Sequence, residues 1–184
     1  PMANTDVLGF WKIAEADPDH LAIVDPDHEQ MTFGELYALT NQIVHGLRAL
    51  GLQPGDQATT VLPNSFEQVA ICLAAFQGGF MFYTSGTTGR PKGVRRPLSP
   101  AHPDESASGG LLYLFGTKPH DDNVQITQAP LYHTAVNNWT TMSLHLGHSV
   151  VLMDKWDAEG ALERLERYKV TSSHMVPTMF NRML

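Results

Sequence analysis

The stretch that decides the fold class is SVVLMDKWDAEGALERLERYKVTSSHM, residues 149–175. It begins with an apolar run typical of a buried strand, SVVLMD, and continues with DAEGALERLERY, whose apolar spacing predicts a helix. VTSSHM predicts a second strand, and Pro177 suits the first turn of a further helix. A strand, a crossover helix and a second strand in this order are typical of a parallel sheet covered by helices.

The same alternation extends through most of the chain. Strands are predicted at 21–25, 57–62, 80–84, 123–129, 149–154 and 170–175, and helices at 6–16, 31–51, 65–77, 109–116, 134–146, 157–168 and 177–184. Thr32 with Glu35, and Ser65 with Gln68, have the spacing of capping boxes. The prediction is an α/β protein with a mainly parallel sheet flanked by helices.

Composition excludes several classes of protein. The 184 residues suit one domain of ordinary size, and 42% of them are hydrophobic. The net charge of -7 disfavours nucleic acid as a partner, and no apolar run reaches the roughly 18 residues of a membrane-spanning helix. One cysteine, Cys72 in the apolar stretch VAICLAAF, fits a buried side chain in a reducing compartment. We therefore predict a cytoplasmic protein, for which contact with a membrane surface stays open.

A glycine- and hydroxyl-rich run, YTSGTTGRPKGV at residues 83–94, has the chemistry of an anion-binding loop. Glycines let backbone N–H groups approach a phosphate, hydroxyls add donors, and Lys92 supplies a positive charge. The P-loop pattern fails here, because Pro91 occupies the position of its second glycine and Gly93 follows the lysine. A polar surface hairpin is the simpler alternative.

This run closely resembles the phosphate loop of the AMP-forming, adenylate-forming enzymes, which are acyl- and aryl-CoA synthetases, luciferases and nonribosomal adenylation domains. APLYHTA (129–135) resembles the family's next segment, where an aromatic residue and a histidine border the acyl site. The stretches 50–79 and 147–180 are similar to further parts of the same domain, so the resemblance covers nearly the whole chain. RRPL, PLYHT and HMVPTMF together are most similar to actinobacterial fatty-acyl-CoA synthetases.

The resemblance implies an ATP-dependent ligase whose reactants are a carboxylic acid, expected to be a fatty acid, ATP with Mg²⁺, and coenzyme A. It also implies a site role for these residues: the phosphate-binding Thr84, Ser85, Gly86, Thr87, Thr88, Gly89 and Lys92; His133 beside the reacting groups; and the acyl-pocket candidates Tyr132, Asn137, Trp139, Met175, Val176 and Pro177. Tyr132 and Trp139 could equally be core aromatics. His145 and His148 lack an evident third ligand, so we predict no metal site there.

The resemblance further implies that residues are missing. In the family a long stretch separates FQGGF from MFYTSG, whereas here the two meet near Phe80 and Met81. By the same resemblance, we expect the family's segments for adenine, magnesium and ribose, and its C-terminal domain with the catalytic lysine, to lie outside these 184 residues. We expect residues 1–184 to be a partial N-terminal, ATP- and acyl-binding domain that is inactive alone. The alternatives are a fragment of an aryl-acid or nonribosomal adenylation enzyme, and a non-catalytic nucleotide- or acyl-binding module or inert remnant.

Overall fold

A computed structural model describes the fold for residues 8–83, 102–106, 116–119 and 122–184. The helices are α1 (Phe10–Ala16), α2 (Phe33–Ala49), α3 (Phe66–Gly78), α4 (Pro103–Ser106), α5 (Thr134–His145), α6 (Ala158–Arg167) and α7 (Pro177–Met183). The strands are β1 (Leu21–Val24), β2 (Gln30–Thr32), β3 (Gln57–Thr59), β4 (Met81–Tyr83), β5 (Val124–Thr127), β6 (Ser149–Leu152) and β7 (Ser172–Ser173).

Five strands form one sheet in the order β2-β1-β6-β5-β7. The β1–β2 pair is antiparallel, and the other three pairs are parallel. A separate parallel pair joins β3 to β4, with Gln57 opposite Met81. The predicted mainly parallel α/β architecture is confirmed.

The central strand β6 is buried on both faces, as its apolar run predicts. Val150 and Leu152 pack with α1, α2, α3 and α5, whereas Val151 and Met153 pack with α6 and the residues around it. Successive side chains of a strand point to opposite faces, so this alternation places helices on both sides of the sheet.

Helix α2 has the predicted capping box at its N-terminus. Thr32 Oγ1 accepts a hydrogen bond from the Glu35 backbone N–H, and Glu35 Oε2 accepts one from the Thr32 N–H at 2.8 Å, so the capping box is confirmed. The prediction that the helix extends back to Met31 is wrong, because Gln30–Thr32 pair with β1 as strand β2.

The second predicted capping box is only half present. Ser65 accepts a hydrogen bond from the Gln68 N–H, but the Gln68 side chain turns inward to Thr60 and to Cys72 Sγ. The preceding strand, predicted over 57–62, ends at Thr59. Helix α3 ends at Gly78, and its C-cap residue Gly79 has a φ of 71°, in the left-handed region that favours glycine.

Two predictions fall outside the described residues: the phosphate loop 84–92 and most of the helix predicted at 109–116. Within the part of the chain that is described, no helix is long and apolar enough to cross a membrane. Pro177 occupies the first turn of α7, as predicted.

Candidate functional site

The carboxyl ends of β5, β6 and β7 lie at one edge of the sheet, because these strands run parallel. Residues 128–133 leave β5 at this edge, and residues 174–176 leave the neighbouring β7. Ligands of open α/β sheets bind outside the carboxyl ends of the strands. Two segments predicted to carry site residues therefore start side by side at the edge where binding is expected.

Tyr132 and His133 lie in the loop between β5 and α5. The side chain of Tyr132 is 41% exposed, His133 is also exposed, and their ring centroids are 4.7 Å apart. The His133 N–H donates to the Pro130 carbonyl, and its own carbonyl accepts from Asn137 N–H as α5 begins. His133 is the N-cap residue of α5, but its side chain makes no capping bond, so the backbone is fixed while the imidazole faces outward.

Trp139 lies near strand β7. Its Nε1–H donates to buried Gln125 Oε1 at 3.1 Å, and its ring lies 5.4 Å from that of His174. Gln125 Oε1 also accepts from Ser172 Oγ at 2.7 Å, so one buried amide joins α5, β5 and β7. The indole is thus anchored at its nitrogen end beside the segment that leads to Met175.

Asn137 lies toward α3. Its side chain contacts the thiol of Cys72, which also accepts from Gln68 Nε2 at 3.4 Å. Burial raises the pKa of the Cys72 thiol to about 11, and the contacts with Gln68 and Asn137 offset part of that rise. Cys72 is therefore a neutral buried side chain at pH 7, in agreement with the interpretation of VAICLAAF.

Met175, Val176 and Pro177 follow β7 at the carboxyl edge. The Gln128 Nε2–H donates to the His174 carbonyl at 2.7 Å, which ties the residues after β5 to those after β7. Val176 is 49% exposed, so an apolar surface borders this edge. Of the predicted residues, the structure brings Tyr132, His133 and the 175–177 segment to one edge, places Trp139 beside it, and turns Asn137 toward α3.

Sequence reasoning missed Asn64, which is 5% exposed and lies between β3 and α3. Its side chain bonds to Ala129, Leu131 and Met153, which belong to the loops after β5 and β6. The only available signal was a polar residue between a strand and a helix cap, in LPNS. The predicted phosphate-binding residues 84–89 and Lys92 lie outside the described residues.

No group of three or more His, Cys, Asp or Glu side chains that could hold a metal ion occurs in the described ranges. His145 and His148 serve the fold there. His145 Nδ1 accepts from the Phe10 N–H, and His148 Nε2 lies 2.8 Å from the Lys118 carbonyl oxygen.

Comparison with known proteins relates the chain to CoA ligases and to luciferin 4-monooxygenases. Indoleacetate–CoA ligase of Aromatoleum aromaticum is 35% identical over 103 residues, which are 55% of this chain and 19% of that protein. Luciferin 4-monooxygenase of Nipponoluciola cruciata is 33% identical over 131 residues, 69% of this chain and 22% of that protein. The chain thus spans about a fifth of the length of these curated relatives.

Solved structures show the same fold. The N-terminal domain of FACL13 from Mycobacterium tuberculosis matches with a TM-score of 0.80 and 19% identity, over 95% of this chain and 63% of that one. o-Succinylbenzoate CoA synthetase (MenE) of Bacillus subtilis, solved with ATP and magnesium, matches with a TM-score of 0.76 and 21% identity. The match covers 94% of this chain and 50% of that one. The family model described as AMP-binding enzyme matches residues 10–82 and 79–184. The chain therefore belongs to the AMP-binding enzyme family.

Proposed function

We propose that this chain is part of an ATP-dependent acid–CoA ligase. In the proposed reaction a carboxylate oxygen of the acid attacks the α-phosphorus of ATP, and pyrophosphate leaves. The thiol of coenzyme A then attacks the acyl carbonyl, forming the thioester and releasing AMP. The observation that carries the proposal is the exposed Tyr132–His133 pair at the carboxyl edge of the sheet of an AMP-binding family member.

The chain's own residues would position the reactants and balance charge, which are the main contributions of protein groups to such transfers. We assign the ATP phosphates to Thr84, Ser85, Gly86, Thr87, Thr88, Gly89 and Lys92, on the strength of their sequence. His133 and Tyr132 would border the acyl-adenylate. The relative solved with ATP and magnesium supports ATP with Mg²⁺ as the form of the nucleotide.

We propose a fatty acid as the substrate, with Tyr132, Trp139, Met175, Val176 and Pro177 along its path and Asn137 behind it. The exposed apolar surface at Val176 suits an apolar acid. An aryl acid is the second candidate, because two similar curated relatives are named for indoleacetate and 4-chlorobenzoate. Both candidates place the carboxylate beside His133.

Acid-dependent exchange of labelled pyrophosphate into ATP separates the two candidates. The complete ligase would be assayed with fatty acids of graded chain length and with benzoate, indoleacetate and coumarate. Exchange that rises with alkyl chain length supports the fatty acid, and exchange confined to the aromatic acids supports the aryl acid. Exchange with neither group would contradict the proposed function.

We also propose that the chain is a partial N-terminal domain of a cytoplasmic enzyme and needs further segments for activity. The family model matches two stretches that meet at residues 79–82, which supports additional residues in relatives between α3 and β4. The 184-residue chain alone is then expected to form no acyl-CoA, and thioester formation by it would refute this. Binding of ATP or acid without turnover would favour the alternative of a non-catalytic module.

A further inference from the structure

Asn64 is a buried amide whose hydrogen-bonding groups are engaged by backbone. Its Oδ1 accepts from the Leu131 N–H at 2.8 Å. Its Nδ2 donates to the Ala129 carbonyl at 3.0 Å and to the Met153 carbonyl at 2.8 Å. One acceptor facing an N–H and two donors facing carbonyls fix the orientation of the amide.

These three bonds join segments that are distant in sequence. Asn64 directly precedes Ser65, the N-cap of α3, so its own backbone is held by that helix. Ala129 and Leu131 belong to the loop after β5, and Met153 follows β6. The amide therefore fixes the loop between β5 and α5 against both the sheet and α3.

The fixed loop leads directly to His133. Leu131 is 2% exposed and packs in the hydrophobic core, and the His133 N–H donates to the Pro130 carbonyl at 3.0 Å. Only Tyr132 separates Leu131 from His133. The side chains of Tyr132 and His133 are both exposed. The position of the two rings at the carboxyl edge thus depends on a turn whose backbone Asn64 holds.

Other side chains cannot make this set of bonds. Aspartate keeps an acceptor for Leu131 but places a second carboxylate oxygen opposite two carbonyl oxygens. Alanine leaves one N–H and two carbonyls without their partner, and buried unpaired polar groups are costly. Glutamine is one methylene longer in a well-packed site.

We propose that Asn64 is a positioning residue that sets the Tyr132–His133 pair for reaction with the acid, acting through the backbone of residues 129–131. The reaction that Asn64 would serve is the one given under the proposed function, so this inference rests on that function. Its structural half, control of the loop by the Asn64 amide, can be tested without any activity.

The first test compares Asn64→Ala with the unaltered 184-residue chain by amide hydrogen exchange. Asn41→Ala is the matched control, because Asn41 also accepts an inter-helical bond, from Gln77 Nε2 at 2.7 Å, but lies away from the loop. In Asn64→Ala the Leu131 amide is expected to exchange about tenfold faster relative to the buried Val150 amide of β6. The Tyr132–His133 nuclear Overhauser contacts should weaken, and Asn41→Ala should change neither quantity.

An unchanged ratio of Leu131 to Val150 exchange, with intact Tyr132–His133 contacts, would overturn the proposal. If Asn64→Ala does not fold, side-chain amide exchange in the unaltered chain provides the test. Its Asn64 Nδ2 protons are expected to exchange about a hundredfold more slowly than those of exposed Asn138. Equal rates for the two side chains would overturn the proposal as well.

The second test uses pyrophosphate exchange by the complete ligase. Asn64→Ala is expected to lower kcat about tenfold or more while the KM for ATP stays within about twofold, because Asn64 bonds to the loop that carries Tyr132 and His133, the residues assigned to the acid. An equal kcat would overturn the positioning role. A complete ligase that shows no exchange with any acid would refute the proposed function, while the hydrogen-exchange result would still decide whether Asn64 holds the loop.

Discussion

Asp104 Oδ1 accepts a hydrogen bond from the backbone N–H of Trp11 at 3.3 Å, although the two residues are 93 positions apart. Asp104 Oδ2 accepts from the Lys12 N–H at 3.2 Å, and the carboxylate is buried. Backbone N–H groups at the start of a helix have no partner within the helix, and an anion there is stabilised by the helix dipole. Asp104 therefore caps α1 from outside, in place of Gly9, whose position offers no side chain.

We expect Asp104→Ala to lower the free energy of unfolding by about 2 kcal/mol, because the backbone N–H groups of Trp11 and Lys12 lose their charged acceptor. Urea unfolding followed by circular dichroism measures the change. Glu105→Ala is the control, since Glu105 is exposed on the same short helix. Equal losses in the two variants would contradict a capping role for Asp104.

The capping box of α2 provides a second stability test. Thr32→Ala removes the acceptor for the Glu35 N–H, and we expect a loss of about 1 kcal/mol in urea unfolding. Glu35→Gln keeps an acceptor for the Thr32 N–H and should lower the free energy of unfolding by only about a few tenths of a kcal/mol. A Glu35→Gln loss as large as that of Thr32→Ala would show that the charge, rather than the pair of hydrogen bonds, stabilises the helix start.

Cys72 should make stability depend on alkaline pH. Burial raises the pKa of its thiol from 9.0 to about 11, so between these values the unfolded chain loses the proton while the folded chain keeps it. The stabilisation is complete below about pH 9 and is lost as pH rises toward 11, with a slope of up to about 1.4 kcal/mol per pH unit.

The measurement is urea unfolding from pH 8 to 11 on the unaltered chain and on Cys72→Ala, because the difference removes the titration of lysines and tyrosines. The free energy of unfolding of the unaltered chain, relative to that of Cys72→Ala, should fall as pH rises from about 9 toward 11. The folded thiol should also react slowly with a thiol reagent at pH 8. A pH-independent difference together with rapid labelling would contradict burial of Cys72.

His133 offers a separation of activity from stability. Its side chain is exposed and makes no capping bond, so His133→Ala should change the free energy of unfolding by less than about 0.5 kcal/mol. In the complete ligase the same variant is expected to slow acid-dependent pyrophosphate exchange by about a hundredfold. His45→Ala, which changes an exposed histidine on α2, is the control for exchange. Full exchange activity in His133→Ala would remove His133 from the site.

Features encoded within a few residues could be predicted from the sequence. The apolar run of β6, the alternation from β6 through α6 to β7 and the Thr32–Glu35 capping box all depend on local spacing, and the structure confirms them. Strand β2 was missed because its three residues directly precede a strong helix start, and its pairing partner β1 lies on the other side of a turn. Short strands gain their stability from the neighbour, which a local pattern does not show.

Long-range polar contacts could not be predicted. Asn64 and Asp104 bond to backbone groups 65 or more positions away, and nothing in their own sequence neighbourhood identifies those partners. Gln68 also illustrates the limit of a local motif: its spacing fits a capping box, but its side chain finds Thr60 and Cys72 in the interior. The segments bearing Tyr132, His133 and Met175 were identified by resemblance, and the parallel β5–β7 pairing explains why they share one edge.

The most direct test of the account is acid-dependent exchange of pyrophosphate into ATP by the protein at its natural length, in a sample whose intact mass has been measured. We predict a mass well above the 20.3 kDa of the 184 residues, and exchange that requires a carboxylic acid and falls sharply in Lys92→Ala. A protein of 20.3 kDa, or a larger one that exchanges pyrophosphate with no acid, would contradict it.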